Sequence, residues 1–222
     1  MVDLSEGVLE WYMARHGETI ENKKRIIQGQ IGGSLSAKGW EDVEKFGQVI
    51  RDKRLSLDKI ISGTLRRQEQ TTYGVMKTHT ETHVDYTDLL QERGYGWIEA
   101  RSVEEVGLKL PQDEEALYCL DKGENLPERN NNVFSQAESL KEVQTRARKV
   151  YSLVKEEAAK PLEDSPKTIL TIGSKWINSY IVNEMLQEGL VWHDQANASA
   201  HRFLLDKEGR VLDYELENIR VE

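Results

Sequence analysis

Apolar residues recur along the chain in two periods. Short runs closed by glycine or polar clusters read as buried strands, and longer stretches with apolar positions three and four apart read as helices with one buried face. Val8 to Ala14 is the first run, and it stops at Arg15-His16-Gly17. A polar loop from Asn22 to Gly33 follows, with Lys23, Lys24, Arg25, Gln28 and Gly29. Ser36 caps a helix to about Lys53 that buries Trp40, Val43, Phe46 and Ile50. Leu57 to Ile61 is the second strand, and Thr64 caps a helix to about His79 with Leu65, Gln68, Thr72 and Val75 along one side. Thr82 to Tyr86 alternates as a third strand and leads into a glycine- and aromatic-containing loop, Leu89 to Arg101. Short helices are expected around Val103–Leu110 and Glu114–Leu120, and a loop at Asn130-Asn131-Asn132. Glu138 or Ser139 opens the clearest helix, to about Ala159, with Leu140, Val143, Ala147, Val150 and Val154 inward. Thr168 to Ile172 is the fourth strand. After Gly173-Ser174 a helix continues through Gly189, with Ile177, Tyr180, Ile181 and Met185 on its apolar side. Ala200–Leu205 and Val211–Leu216 are strands joined at Lys207-Glu208-Gly209, a hairpin signal.

Strands alternating with helices predict a single α/β domain over residues 1–222 built on a mainly parallel sheet, the late hairpin adding an antiparallel edge. With 222 residues the chain is long enough for one sizeable core. Its formal charge of −9 and the lack of a basic stripe speak against nucleic acid as a partner. One cysteine, Cys119, leaves no intrachain disulfide and no cysteine metal cluster. The first residues are acidic and polar rather than basic then apolar, and no run approaches the ~20 apolar residues of a membrane span. The expectation is a cytoplasmic protein with no membrane partner.

The chemistry collects at the ends of the strands, where open α/β sheets bind ligands. Arg15 and His16 follow the first strand, Arg66 and Arg67 open the helix after the second, Glu92 and Arg93 lie after the third, and Gly173-Ser174-Lys175 follows the fourth. Phosphoryl transfer needs a nucleophile held in line, cations on the equatorial oxygens and a proton for the leaving group. A neutral imidazole, paired arginines and a carboxylic acid in a water-poor loop meet those needs without a metal. Taken singly, each residue has a plainer reading: a histidine at a turn, an arginine paired with Glu18, a solvated helix face at Arg66-Arg67, one acidic residue among 39. Their order along successive strand ends is what gives them weight.

These residues resemble the histidine phosphatase superfamily, which includes the cofactor-dependent phosphoglycerate mutases. Arg15-His16-Gly17-Glu18-Thr19, Asn22, Gln28-Gly29, Leu35-Ser36 and Gly39 are similar to its opening motif. Ser62 through Thr71 resembles its second block, and Gln91 to Gly96 looks like the acid/base segment of its mutase branch. Glu138-Ser139-Leu140 with Arg146 resembles the start of its penultimate helix, and Asn197-Ala198-Ser199 the turn before its last core strand. The resemblance implies a three-layer α/β/α sandwich with a variable lid around residues 94–137. It implies His16 as the phosphorylated nucleophile and Glu92 as proton donor. Arg15, Asn22 and Arg67 would hold phosphate, and Gln28, Gly29, Arg93 and Tyr95 would contact substrate. The partner would be a small phosphorylated molecule, with no cofactor and no metal.

The chain departs from the family at its fourth block, a strand followed by Ser-His-Gly-Gly or a close variant. Here the strand runs into Gly173-Ser174-Lys175-Trp176, which aligns Ser174 with the second histidine as a phosphate-binding residue. Losing one preorganised donor to a transition-state oxygen costs on the order of a hundred- to a thousand-fold in rate. Ser174 retains one hydrogen bond, and Lys175 brings a cation if its side chain turns inward. Three readings follow: a phosphatase with reduced activity, a non-catalytic member that binds a phosphorylated ligand or a protein, and, ranked last, a phosphoglycerate mutase.

Overall fold

The computed structural model describes residues 9–106, 137–160, 167–187 and 193–221. The elements are β1 (Leu9–Arg15), α1 (Ile20–Lys23), α2 (Ala37–Asp52), β2 (Lys59–Gly63), α3 (Arg66–Met76), β3 (His83–Thr87), α4 (Leu140–Ala158), β4 (Lys167–Gly173), α5 (Lys175–Leu186), β5 (Ser199–Leu205) and β6 (Val211–Arg220). The strands form one sheet in the order β3-β2-β4-β1-β5-β6. The first four run parallel, and β5 pairs antiparallel with both β1 and β6. The mainly parallel sheet is therefore as expected. The antiparallel part is not confined to the edge, since β5 lies inside the sheet against β1.

Period-two alternation sends β1 into two cores. Leu9, Trp11 and Met13 pack on one face with Val143, Ala147, Val150 and Val154 of α4 and Ile177 and Ile181 of α5. Tyr12 and Ala14 pack on the other with Val43, Phe46 and Ile50 of α2 and Val75 of α3. This is the three-layer α/β/α arrangement. Each fully buried aliphatic side chain in these rows contributes about 1.5–3 kcal/mol. Both rows recur at helical spacing, as the sequence predicts.

Several boundaries shift for local reasons. The cap of α3 is Leu65 rather than Thr64: the Gln68 side-chain Oε1 accepts from Leu65 N at 3.0 Å, while the Thr64 hydroxyl bonds Asp88 and Gln91. Strand β3 sits one residue later than predicted. Helix α5 stops at Leu186, where Gln187 turns left-handed at φ 53°, three residues short of the predicted Gly189. Residues 103–106 form turns rather than the start of a helix. The expected helix at Glu114–Leu120, the loop at Asn130–Asn132 and most of the predicted lid lie outside the described residues. Among the described residues no helix is long and apolar enough to cross a membrane.

Candidate active site

Parallel strands deliver their carboxyl ends to one edge of the sheet, and β1 ends beside β4, with Arg15 opposite Gly173. His16 is fixed there through its backbone. Its N–H donates to Gly173 O at 3.2 Å, and its carbonyl accepts from Asn197 Nδ2 at 2.9 Å and from Ala198 N at 3.3 Å. Gly17 N donates to Thr71 Oγ1 at 3.0 Å. Behind this turn, Gly39 lets the first turn of α2 close on the strand end: a Cβ there would stand 2.0 Å from Glu18 O.

His16 is only 3% exposed. Its Nδ1 lies 2.8 Å from Gly17 O, and Arg67 Nε lies 3.1 Å from its Nε2. A carbonyl oxygen only accepts and an arginine N–H only donates, so the proton sits on Nδ1 and Nε2 carries the lone pair. Burial pushes the His16 pKa well below its ordinary value, and the charges of Arg67 and Arg15 push in the same direction. The ring is held neutral at the cleft, with its unprotonated nitrogen beside Arg67.

Arg66 is exposed and Arg67 is buried, so one of the two is a solvated helix residue and the other belongs to the site. Arg67 donates from Nη1 to Ile31 O at 2.7 Å and from Nη2 to Gly29 O at 2.6 Å, which ties α3 to the polar loop. Burial lowers its pKa to about 10, with the Glu92 carboxylate working against that and Arg15 working with it. Arg15 donates from Nη1 to Gln195 O at 2.6 Å.

Glu92 is buried. Its Oε1 accepts from Arg93 N at 2.9 Å and from Trp176 N at 3.2 Å. Burial raises its pKa, outweighing these donors and the nearby charges of Arg67 and Arg15. The loop that carries it is clamped by Arg146, which donates to the carbonyls of Leu89, Gln91 and Glu92 and pairs with Glu138 at 2.6 Å.

These groups surround a cleft of about 190 Å³ lined by Arg15, His16, Asn22, Arg25, Gln28, Gly29, Arg67, Glu92, Tyr95, Lys175 and Trp176, with Ile26, Ile27 and Val103 as an apolar wall. Asn22 uses its Oδ1 to accept from Thr19 N and Oγ1. Gln28 is buried, and its Oε1 has no hydrogen-bond partner among the described residues. Gly29 adopts φ +51° and presents its carbonyl to Arg67.

Two residues expected at the site stand behind it. Ser174 is fully buried and its Oγ accepts from Gln68 Nε2 at 3.1 Å, so it faces α3 and does not line the cleft. The extended backbone of this cap position, φ −125° and ψ 167°, turns the side chain that way. Arg93 donates from Nε to Glu138 O at 3.0 Å and lies against the rings of Tyr95 and Trp176, behind the wall that those two residues form. None of the other four histidines lines the cleft. His201, for example, is buried in β5 and accepts from Glu217 N at 2.9 Å through Nδ1. The segment before β5, Asp194 and Gln195, escaped the sequence reading. It holds both Arg15 and Lys175 by hydrogen bonds and has no spacing signal, because its partners lie on distant elements.

Residues 11–214 match the histidine phosphatase superfamily, branch 1. The chain is 35% identical over 100 residues to the broad-specificity phosphatase YOR283W of Saccharomyces cerevisiae, covering 44% of each chain. It is 36% identical over 98 residues to the fructose-2,6-bisphosphatase TIGAR of Bos taurus, covering 42% of this chain and 36% of that one. The chain thus matches less than half the length of these relatives. Among solved structures, YhfR of Bacillus stearothermophilus superposes with a TM-score of 0.75 at 18% identity, over 96% of this chain and 98% of the other. Phosphoglycerate mutase of Bacillus anthracis does so with a TM-score of 0.75 at 20% identity, over 98% and 95%. These two likenesses concern the fold. The strand-end histidine, the buried arginine that meets it and a match over nearly the whole chain lead to one conclusion: the protein belongs to the histidine phosphatase superfamily.

Proposed function

We propose that the protein hydrolyses a small phosphomonoester through a phosphohistidine at His16. The observation that carries this reading is the single tautomer of His16, with Nε2 unprotonated between Arg67 and the cleft. The Nε2 lone pair attacks phosphorus while the ester P–O bond breaks. The departing oxygen takes the bond's electron pair and the Glu92 proton. Water then attacks the phosphohistidine, the P–N bond breaks, and Glu92 recovers a proton from that water. The products are an alcohol and inorganic phosphate. Arg15, Arg67 and the Asn22 amide neutralise and orient the phosphoryl oxygens. Gln28 Oε1 accepts from a substrate hydroxyl, and Gly29 and Tyr95 border the leaving group. Residues 1–222 act as one domain. Turnover is lower than in a site with two imidazoles, because Ser174 offers none.

The placement of Ser174 against Gln68 also favours a second reading, a non-catalytic member that binds a phosphorylated ligand. One experiment separates the two. Hydrolysis of an aryl phosphate is followed from pH 5 to 8 in wild type, His16→Ala and Ser174→His, with acid-labile phosphate trapped on the protein by quenching. Turnover and labelling that vanish in His16→Ala support the enzyme. Phosphate binding with identical rates in wild type and His16→Ala supports the second reading. Failure of the wild type to bind phosphate overturns both.

A further inference from the structure

The family pattern calls for a second phosphate-binding group at the start of α5, and Ser174 has turned away from it. The next residue has not. Lys175 is the first residue of α5 and lines the cleft together with Arg15, His16, Arg67 and Glu92. Its Nζ lies 2.8 Å from Asp194 Oδ1, with side-chain exposures of 15% for the lysine and 75% for the aspartate. The lysine is thus part of the wall, and the carboxylate stands in water at the rim.

The segment that carries this carboxylate is built into the fold. Gln195 is buried, donates from Nε2 to Met13 O at 2.8 Å and to Ser199 O at 3.2 Å, and accepts from Asn178 Nδ2 at 2.8 Å. Asn178 also donates to Ala14 O at 3.0 Å. The same segment receives Arg15 on the Gln195 carbonyl and Lys175 on the Asp194 carboxylate, so the two cations are set side by side. Desolvation against the protein pushes the Asp194 pKa up, but the bond from Lys175 and the charges of Lys175 and Arg15 outweigh that and hold it below its ordinary value.

We propose that Lys175 is a phosphate-binding cation of this cleft, in place of the absent histidine, and that Asp194 holds its ammonium at the rim until a phosphoryl anion displaces the carboxylate. An ion pair with one partner in water is weak. A phosphoryl dianion between two arginines in a largely buried cleft attracts the ammonium more strongly, because the surroundings screen it less. Lysine suits the exchange: it is a point charge with rotatable donors on a flexible stem. The proposal rests on the reading of the cleft as a phosphomonoester site.

The test is calorimetric binding of inorganic phosphate to the full chain, with aryl phosphate turnover measured in parallel. Lys175→Met weakens phosphate binding about tenfold or more, and Lys175→Arg restores part of it. Asp194→Asn tightens binding several-fold by removing the competing carboxylate, and in the Lys175→Met background it has no such effect, the signature of a coupled pair. Asp194 is exposed, so its variant carries the test even if Lys175→Met fails to fold. If wild type and Lys175→Met bind and turn over alike, Lys175 is not a phosphate ligand, while the reading of the cleft stands. If Asp194→Asn binds phosphate no better than wild type, the displacement is wrong. If the wild type binds no phosphate and shows no turnover, the reading of the cleft fails and this proposal with it.

Discussion

Arg67 Nε donates to His16 Nε2 across 3.1 Å, so the nitrogen that would attack phosphorus is already engaged by the cation that would hold the phosphate. The bond fixes the ring plane and tautomer before any anion arrives. In the proposed reaction an arriving phosphoryl group would take the place of Nε2 as the partner of the guanidinium, and the freed lone pair would point where the group has just been drawn.

Replacing Arg67 therefore has two separable effects. Arg67→Ala leaves the buried carbonyl of Gly29 and the part-buried carbonyl of Ile31 without their charged donor, costing about 3 kcal/mol of stability. For a chain of this size that lowers Tm by about 6–12 °C. Arg67→Lys keeps a charge but not the three-way fork, so it recovers phosphate binding less than stability. Thermal melts and phosphate titrations on the two variants check this.

Glu92 as proton donor predicts a dependence on the leaving group. Glu92→Gln slows hydrolysis of an alkyl phosphate by about 10²–10⁴-fold, the usual contribution of a positioned acid. With p-nitrophenyl phosphate, whose leaving group departs without a proton, the loss is far smaller. Rates for both substrates in both proteins decide it, and equal losses would remove Glu92 from the role.

The pH profile follows from two shifts of opposite consequence. His16 must be neutral, and its pKa is pushed well below the ordinary value, so the acid limb of activity lies below that of a free imidazole. Glu92 must be protonated, and its pKa is raised by burial, so activity falls on the alkaline side as the carboxyl ionises. Glu92→Gln removes the alkaline limb and leaves the acid limb in place. Steady-state rates across pH measure both.

His201 gives a stability prediction independent of the cleft. Burial lowers its pKa to about 4 from 6.5. The unfolded state binds the proton first as pH falls, so stability is full above the unfolded value and is lost progressively down to the folded one. The loss is on the order of 3 kcal/mol. His201→Asn, which keeps an acceptor for Glu217 N, flattens this part of the pH dependence. Urea denaturation at pH 7 and pH 4.5 compares the two proteins.

The strand ends and the helix faces were legible because they depend on local periods: the alternation of Trp11, Tyr12, Met13 and Ala14, and the rows Val43–Phe46–Ile50 and Val143–Ala147–Val150. His16, Arg67 and Glu92 come together because parallel strands all finish at one edge. What the sequence hides is side-chain direction at a helix cap and every contact made across the fold. Ser174 aligns with a phosphate ligand yet faces Gln68, because α3 offers its hydroxyl a donor and the cap backbone aims it there. Arg93 lies two residues from Tyr95, yet it stacks behind the wall that Tyr95 forms. Gln195 carries no motif, since its bonds reach Met13 and Asn178 over long separations.

Strand β5 runs against β1, with Ala14 opposite Ala200. The lining of the cleft comes from chain leaving the sheet, whereas residues 194–198 enter the sheet behind it, where Gln195 takes Arg15 and Asn197 and Ala198 take the His16 carbonyl. The backbone position of His16 therefore depends on a segment that contributes nothing to the lining of the cleft. A change there moves the imidazole without replacing a single group that borders the cleft.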